Sequence, residues 1–183
     1  MQKRVRNPDR RLAPSRVNLQ DYQGPRVLDI MFRRSRFDET ESVVSAELSR
    51  TRGLLVDGRQ SEALSPWNLP LDRDEAVRAR SYVSLVSDRD IARVTRESDY
   101  TLTAIETGRD LLVTGLNVNN LAGVRLQIGS LLLEGVEPCV GEDYAGLDDS
   151  PARVEALRQV GGFRAKVLLG GTVQVGDQIN IPR

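Results

Sequence analysis

The chain has 183 residues, 39% of them hydrophobic, with 26 Lys and Arg against 26 Asp and Glu, no His and a single Cys. That length and apolar content suit one domain, and zero net charge offers no field to attract nucleic acid or an anionic membrane. With no imidazole, a Ser/His/Asp triad, a Cys/His pair, the HExxH helix and every His-containing zinc site are excluded, so no zinc is expected.

One cysteine cannot form an internal disulfide, and the N-terminus lacks the apolar core of a secretory signal. No run approaches the roughly 18 apolar residues of a membrane span. A cytoplasmic protein without membrane or nucleic-acid partners is the expectation.

Residues 1–23 carry Lys3, Arg4, Arg6, Arg10, Arg11 and Arg16 with only Asp9 as a nearby counter-charge, which predicts a basic, disordered tail ahead of a domain over 24–183. Val27 to Phe32 predicts a first strand and Glu41 to Leu48 a second, both with near-alternate apolar residues. Gly53 and Gly58 then flank a short apolar piece, and Asp57-Gly58 is a strong turn dipeptide. Ser61 to Leu71 holds two prolines and reads as a loop, with Trp67 as its anchor on the core.

Tyr82 to Val86 resumes strand character and leads into a helix capped by Ser87, with Asp90 near its start and Ile91 and Val94 inward, ending near Glu97. Short apolar runs separated by glycine follow: Leu111 to Val113, Val124 to Ile128, Leu131 to Gly135, Arg164 to Leu169, Thr172 to Val175 and Gln178 to Ile181. With Gly129-Ser130, Gly170-Gly171 and Gly176-Asp177 as connectors, they predict hairpins of a sandwich or barrel. One helix interrupts them, with Ser150 as N-cap, Pro151 at its first position, Val154 and Leu157 inward and Gly161-Gly162 as the stop.

Chemistry must therefore run on thiol, carboxylates, Arg and Lys, or a cofactor. Cys139 follows Pro138 at the end of an apolar run, where a nucleophilic or metal-binding atom sits on a rigid element. It reads either as a reactive thiol, given cations such as Arg109 or Arg164 nearby, or as a small buried hydrophobe. Asp57 reads equally as a turn residue and as part of a site. Glu142 and Asp143 read as a solvated loop edge, and the Gly-Gly pairs, which match no phosphate-binding loop, as turns.

Taken in order, Arg109-Asp110-Leu111, Gly115 with Asn119, Leu121 and Gly123, Ile128-Gly129, Pro138-Cys139, Gly161-Gly162, and Gly171 to Val173 with Gly176, Asp177 and Ile179 resemble the MOSC domain family, named after the C-terminal domain of molybdenum-cofactor sulfurase. Upstream, Gly53-Leu54 with Asp57 resembles the family's Gly-Leu-x-Gly-Asp-Arg loop, and Tyr82 to Val86 its central strand. The likeness spans roughly residues 24–181, and the order of the elements makes it specific.

The resemblance implies a mainly β, closed or nearly closed barrel with a few peripheral helices. It also implies that Cys139 carries sulfur or ligates molybdenum of a molybdenum cofactor, while Arg109, Asp110, Asn119, Arg164, Asp57 and Arg59 hold an anionic cofactor or substrate or order the adjoining loop. Some relatives reduce N-oxygenated compounds. Three departures stand out. Glu142 occupies the place of a second cysteine, the upstream loop reads Val56-Asp57-Gly58 with Arg59 one step late, and no His follows it. The length leaves no room for the pyridoxal-phosphate desulfurase or flavin modules of larger relatives, so a separate sulfur donor or reductase chain is expected. Short edge-prone strands make a homodimer a further expectation. Two readings from other classes stand beside this one: a barrel that binds a small ligand or partner without chemistry, and a structural domain whose cysteine is merely buried.

Overall fold

The structure is a computed structural model that describes residues 24–34, 39–60, 81–139 and 150–182. The tail over 1–23, Trp67 with its loop, and Glu142 and Asp143 lie outside them.

In chain order the elements are β1 (Arg26–Phe32), β2 (Glu41–Val43), β3 (Ser45–Ser49), β4 (Gly53–Val56), β5 (Arg59–Gln60), β6 (Tyr82–Ser87), α1 (Asp88–Glu97), β7 (Leu111–Thr114), β8 (Arg125–Ile128), β9 (Leu131–Pro138), α2 (Pro151–Val160), β10 (Phe163–Leu169), β11 (Gly171–Gln174) and β12 (Ile179–Asn180). The fold is mainly β with two helices. Eight strands pair in the order β12-β8-β9-β10-β6-β7-β1-β2, and four in the order β11-β3-β4-β5. The larger sheet is mixed, because β6 and β7 run parallel while its other pairs are antiparallel.

The strand ladders of the described residues fall into two sheets, and the ladders alone do not trace the closed or nearly closed barrel that the resemblance implies. Outside the ladders, Arg26 forms an antiparallel bridge with Gln178, Ile179 N–H donates to Pro25 O at 2.8 Å, and Gly176 N–H donates to Val27 O at 2.8 Å. These bonds bring the start of β1 against the strand at the opposite edge.

Two sequence expectations change. The single strand over Glu41 to Leu48 is two strands in different sheets, parted at Val44, which is 57% exposed and accepts Val175 N–H. Gly170-Gly171 and Gly176-Asp177 are crossovers between sheets rather than hairpin turns, since β11 pairs with neither β10 nor β12. Gly129-Ser130 does close a hairpin, with Ile128 opposite Leu131.

Side chains alternate across a strand, which divides the interior in two. Val83 and Leu85 of β6 and Phe163, Ala165 and Val167 of β10 join the main core. Val86 and Met31 face the other way, into a smaller cluster roofed by Val94 of α1 and Ala156, Leu157 and Val160 of α2. Each fully buried Val, Leu, Phe or Met side chain among these contributes about 1.5–3 kcal/mol. Val154 is only half-buried; the inward stripe of α2 runs through Ala156, Leu157 and Val160 instead.

Both helices start on serine caps. Ser87 Oγ accepts Arg89 N–H at 3.1 Å and Ser150 Oγ accepts Arg153 N–H at 3.2 Å, each satisfying one amide that lacks an intrahelical partner. Among the described residues, no helix is long and apolar enough to cross a membrane.

Candidate functional site

Register assembles the site on the helix-covered face of the larger sheet. Glu137 on β9 stands opposite Arg164 on β10, and Arg164 stands opposite Ser84 on β6. Ser84 in turn binds Asp110, its N–H and Oγ both donating to Oδ2 at 2.7 Å. Glu137, Arg164, Ser84 and Asp110 thus form one polar row across neighbouring strands, closed at one end by Arg164 Nη1 donating to Glu137 Oε1 at 2.6 Å. Two residues beyond Glu137, and so on the same face, lies Cys139. Its N–H donates to Gly162 O at 3.0 Å, extending the pairing of β9 with β10 by one step.

Arg109 enters from the turn before β7 and is 2% exposed. A buried guanidinium needs acceptors. Nε and Nη2 both donate to Gly161 O, at 3.2 and 2.9 Å, where α2 ends and its carbonyls lack helical partners. Gly162, with φ +118°, leaves room for this side chain: a Cβ there would stand 2.8 Å from Arg109 Nε and 2.7 Å from Leu85 O.

Cys139 is 7% exposed and belongs to neither apolar cluster. Burial pushes its thiol above the usual range; the charges of Arg109 and Arg164 pull the other way, and Asp110 and Glu137 add to the rise. The thiol is therefore set among charges, yet its surroundings favour the protonated form. Asp110 is also raised, first by burial, against the hydrogen bonds from Ser84 and the charges of Arg109 and Arg164.

The structure thus brings Cys139, Arg109, Asp110 and Arg164 together. Asn119 lies on the flank: its amide donates to Asp90 Oδ2 at 3.1 Å, and a Cβ at Gly161 would meet its Oδ1 at 3.4 Å. Asp57 and Arg59 are elsewhere, lining a cavity of about 260 Å³ with Phe32, Arg34 and Val56. Asp57, at φ +50°, and Gly58, at φ +71°, form the two-residue turn between β4 and β5, the backbone that a tight hairpin requires. Sequence reasoning missed Glu137 and Ser84. An acid one strand from Arg164 was visible only once the register was known.

No protein-family model matches the chain, and no curated protein matches it in sequence. Its fold is shared with solved structures. YuaD from Bacillus subtilis is 18% identical, with 85% of this chain and 93% of that one aligned at a TM-score of 0.63. YiiM from Geobacillus stearothermophilus is 13% identical, covering 87% and 75% at a TM-score of 0.61. YiiM from Escherichia coli is 15% identical, covering 86% and 70% at 0.52. At these identities the likeness establishes the fold alone.

Proposed function

We propose that this chain is a MOSC-type domain in which Cys139 is the working residue, as a carrier of transferable sulfur or as the protein's ligand to molybdenum. The observation that carries the proposal is the placement of the chain's one thiol at the end of β9, in the field of Arg109 and Arg164. The fold shared with YuaD and YiiM supports the MOSC-type reading.

As a carrier, Cys139 as thiolate attacks the outer sulfur of a persulfide on a donor chain. A new S–S bond forms on Cys139, the donor's S–S bond breaks, and the donor leaves as a thiol. Electrons balance without an external oxidant. Guanidinium charge stabilises the attacking thiolate and any anionic group bound beside it.

In the ligand case, a molybdenum cofactor is the group we assign to this site: Cys139 would be its single soft donor, and Arg109 and Arg164, whose charges act on the thiol, would meet its anionic groups. Bound, that group supplies oxygen-atom or sulfur redox chemistry, with electrons from a separate reductase. Reduction of N-oxygenated compounds is the reaction we assign to that case.

The burial of Cys139 favours a second reading, a ligand- or partner-binding domain with an inert packed thiol. Intact-mass analysis after exposure to a persulfide donor, with elemental analysis of protein expressed in molybdate-supplemented cells, separates them. Sulfane sulfur or molybdenum that disappears in Cys139→Ser supports the proposal. A thiol that stays unmodified, in protein free of molybdenum, leaves the second reading.

A further inference from the structure

We propose that this chain has a second binding site, separate from Cys139, that takes a small organic monocarboxylate with a short apolar body. It is a cavity of about 430 Å³ between the end of β1, the segment before β2, the 3-10 turn Ile105–Thr107 and the first turn of α2. That volume falls within the usual range for small-molecule sites, about 300–1,000 Å³.

Two guanidiniums from distant parts of the chain line it, Arg33 held by hydrogen bonds and Arg153 by an ion pair. Arg33 donates through Nε and Nη2 to Thr40 Oγ1, at 2.9 and 2.7 Å, and Thr40 is itself a wall of the cavity. Arg153, with its side chain 20% exposed, has Nε 3.6 Å from Glu106 Oε1. Glu106 serves as the anchor: Oε1 accepts the Tyr100 hydroxyl, while Oε2 accepts Thr103 N–H at 2.8 Å and Thr103 Oγ1 at 2.6 Å. Burial would push this carboxyl up, but those hydrogen bonds and the Arg153 charge outweigh it, and Glu106 stays below the usual range. A first layer of charge locked by a second layer of hydrogen bonds is the construction that binding sites need.

The remaining walls narrow the ligand. Planar guanidiniums match a carboxylate in geometry. Ile105, 40% exposed, offers an apolar surface, and Gly108, at φ +63°, lines the cavity with backbone alone. Glu39, an exposed carboxylate on the same wall, disfavours dianions, which turns the choice from phosphate to a single carboxylate. None of Cys139, Arg109, Asp110 and Arg164 is among the residues that line this cavity, and its Arg153 stands about 12 Å along the α2 axis from the Arg109 anchor Gly161.

Calorimetric titration of the full chain with isovalerate, isovaleramide and inorganic phosphate tests this. Saturable binding of isovalerate at millimolar concentration, about tenfold weaker for the uncharged amide and for phosphate, is expected, with a loss of about tenfold or more in Arg153→Gln and in Arg33→Gln. Arg153→Lys, which keeps the charge but loses the fork, should fall between, and amide NMR spectra check that each variant is folded. Cys139→Ser should bind as the parent does, whatever becomes of the proposed sulfur chemistry. No saturable binding by about 10 mM, equal binding of acid and amide, or binding that survives in both folded Arg→Gln variants overturns the assignment.

Discussion

Arg109 and Cys139 hang on consecutive carbonyls: the guanidinium of one takes Gly161 O and the amide of the other takes Gly162 O. The distance between the buried cation and the thiol is thereby set by two glycines at the end of α2.

Replacing Gly162 by Ala should disturb both. The new methyl would meet Leu85 O and Arg109 Nε inside contact distance, at a φ of +118° that L-residues avoid. A loss of about 2–4 kcal/mol is expected in urea unfolding. Gly123→Ala is the control, since it shares a positive φ of +71° but meets nothing within 4 Å, and it should lose only the strain.

Arg109→Gln keeps a donor toward Gly161 O and removes the charge. Because that charge opposes the effect of burial on Cys139, the thiol should climb further, and alkylation at neutral pH should slow. The pH profile of iodoacetamide labelling reads this directly. A profile that stays in place would mean that the cation does not act on the sulfur.

Asp110→Asn bears on stability. The carboxyl of Asp110 is raised in the folded protein, so the fold binds its proton more tightly than the unfolded chain does. Stability is fully present below the ordinary Asp range and is lost as pH rises through the folded value. Asn, which still accepts from Ser84, should gain on the parent above that window, and the gap should close on acidification. Denaturation series across the acid range compare the two.

Asp57→Asn should be nearly neutral, because Asn tolerates φ +50°, whereas Asp57→Val should cost about 1–3 kcal/mol by straining the turn. If the Asp57 carboxylate instead binds a ligand in its cavity, Asn will match the parent in melting temperature and lose that ligand.

What the sequence made legible was local. Ser87 and Ser150 announce helix starts by chemistry confined to one turn, and Asp57-Gly58 announces a hairpin by its tolerance of positive φ. The break at Val44 carried no such mark: no Gly or Pro interrupts the run, and the bend follows from Val44 O bonding Val175, 131 positions away. At the site, Cys139 stood out by uniqueness and Arg109 by motif order. Neither signal revealed that Arg109 is tied to a helix end, or that Glu137 neutralises Arg164, because both depend on pairings made across 52 and 27 residues. Gly161-Gly162, read as a plain stop, turned out to connect the cation and the thiol.

The seam between β1 and the segment before β12 also governs how the molecule tolerates engineering. Since Pro25 accepts from Ile179 and Val27 accepts from Gly176, the first and last strands of the described region lie side by side. A short peptide joining them would let the chain be reopened elsewhere, for instance at the Asp57-Gly58 turn, in a circularly permuted protein whose new termini avoid residues 109–164 and so keep Cys139 and its arginines in one uninterrupted stretch.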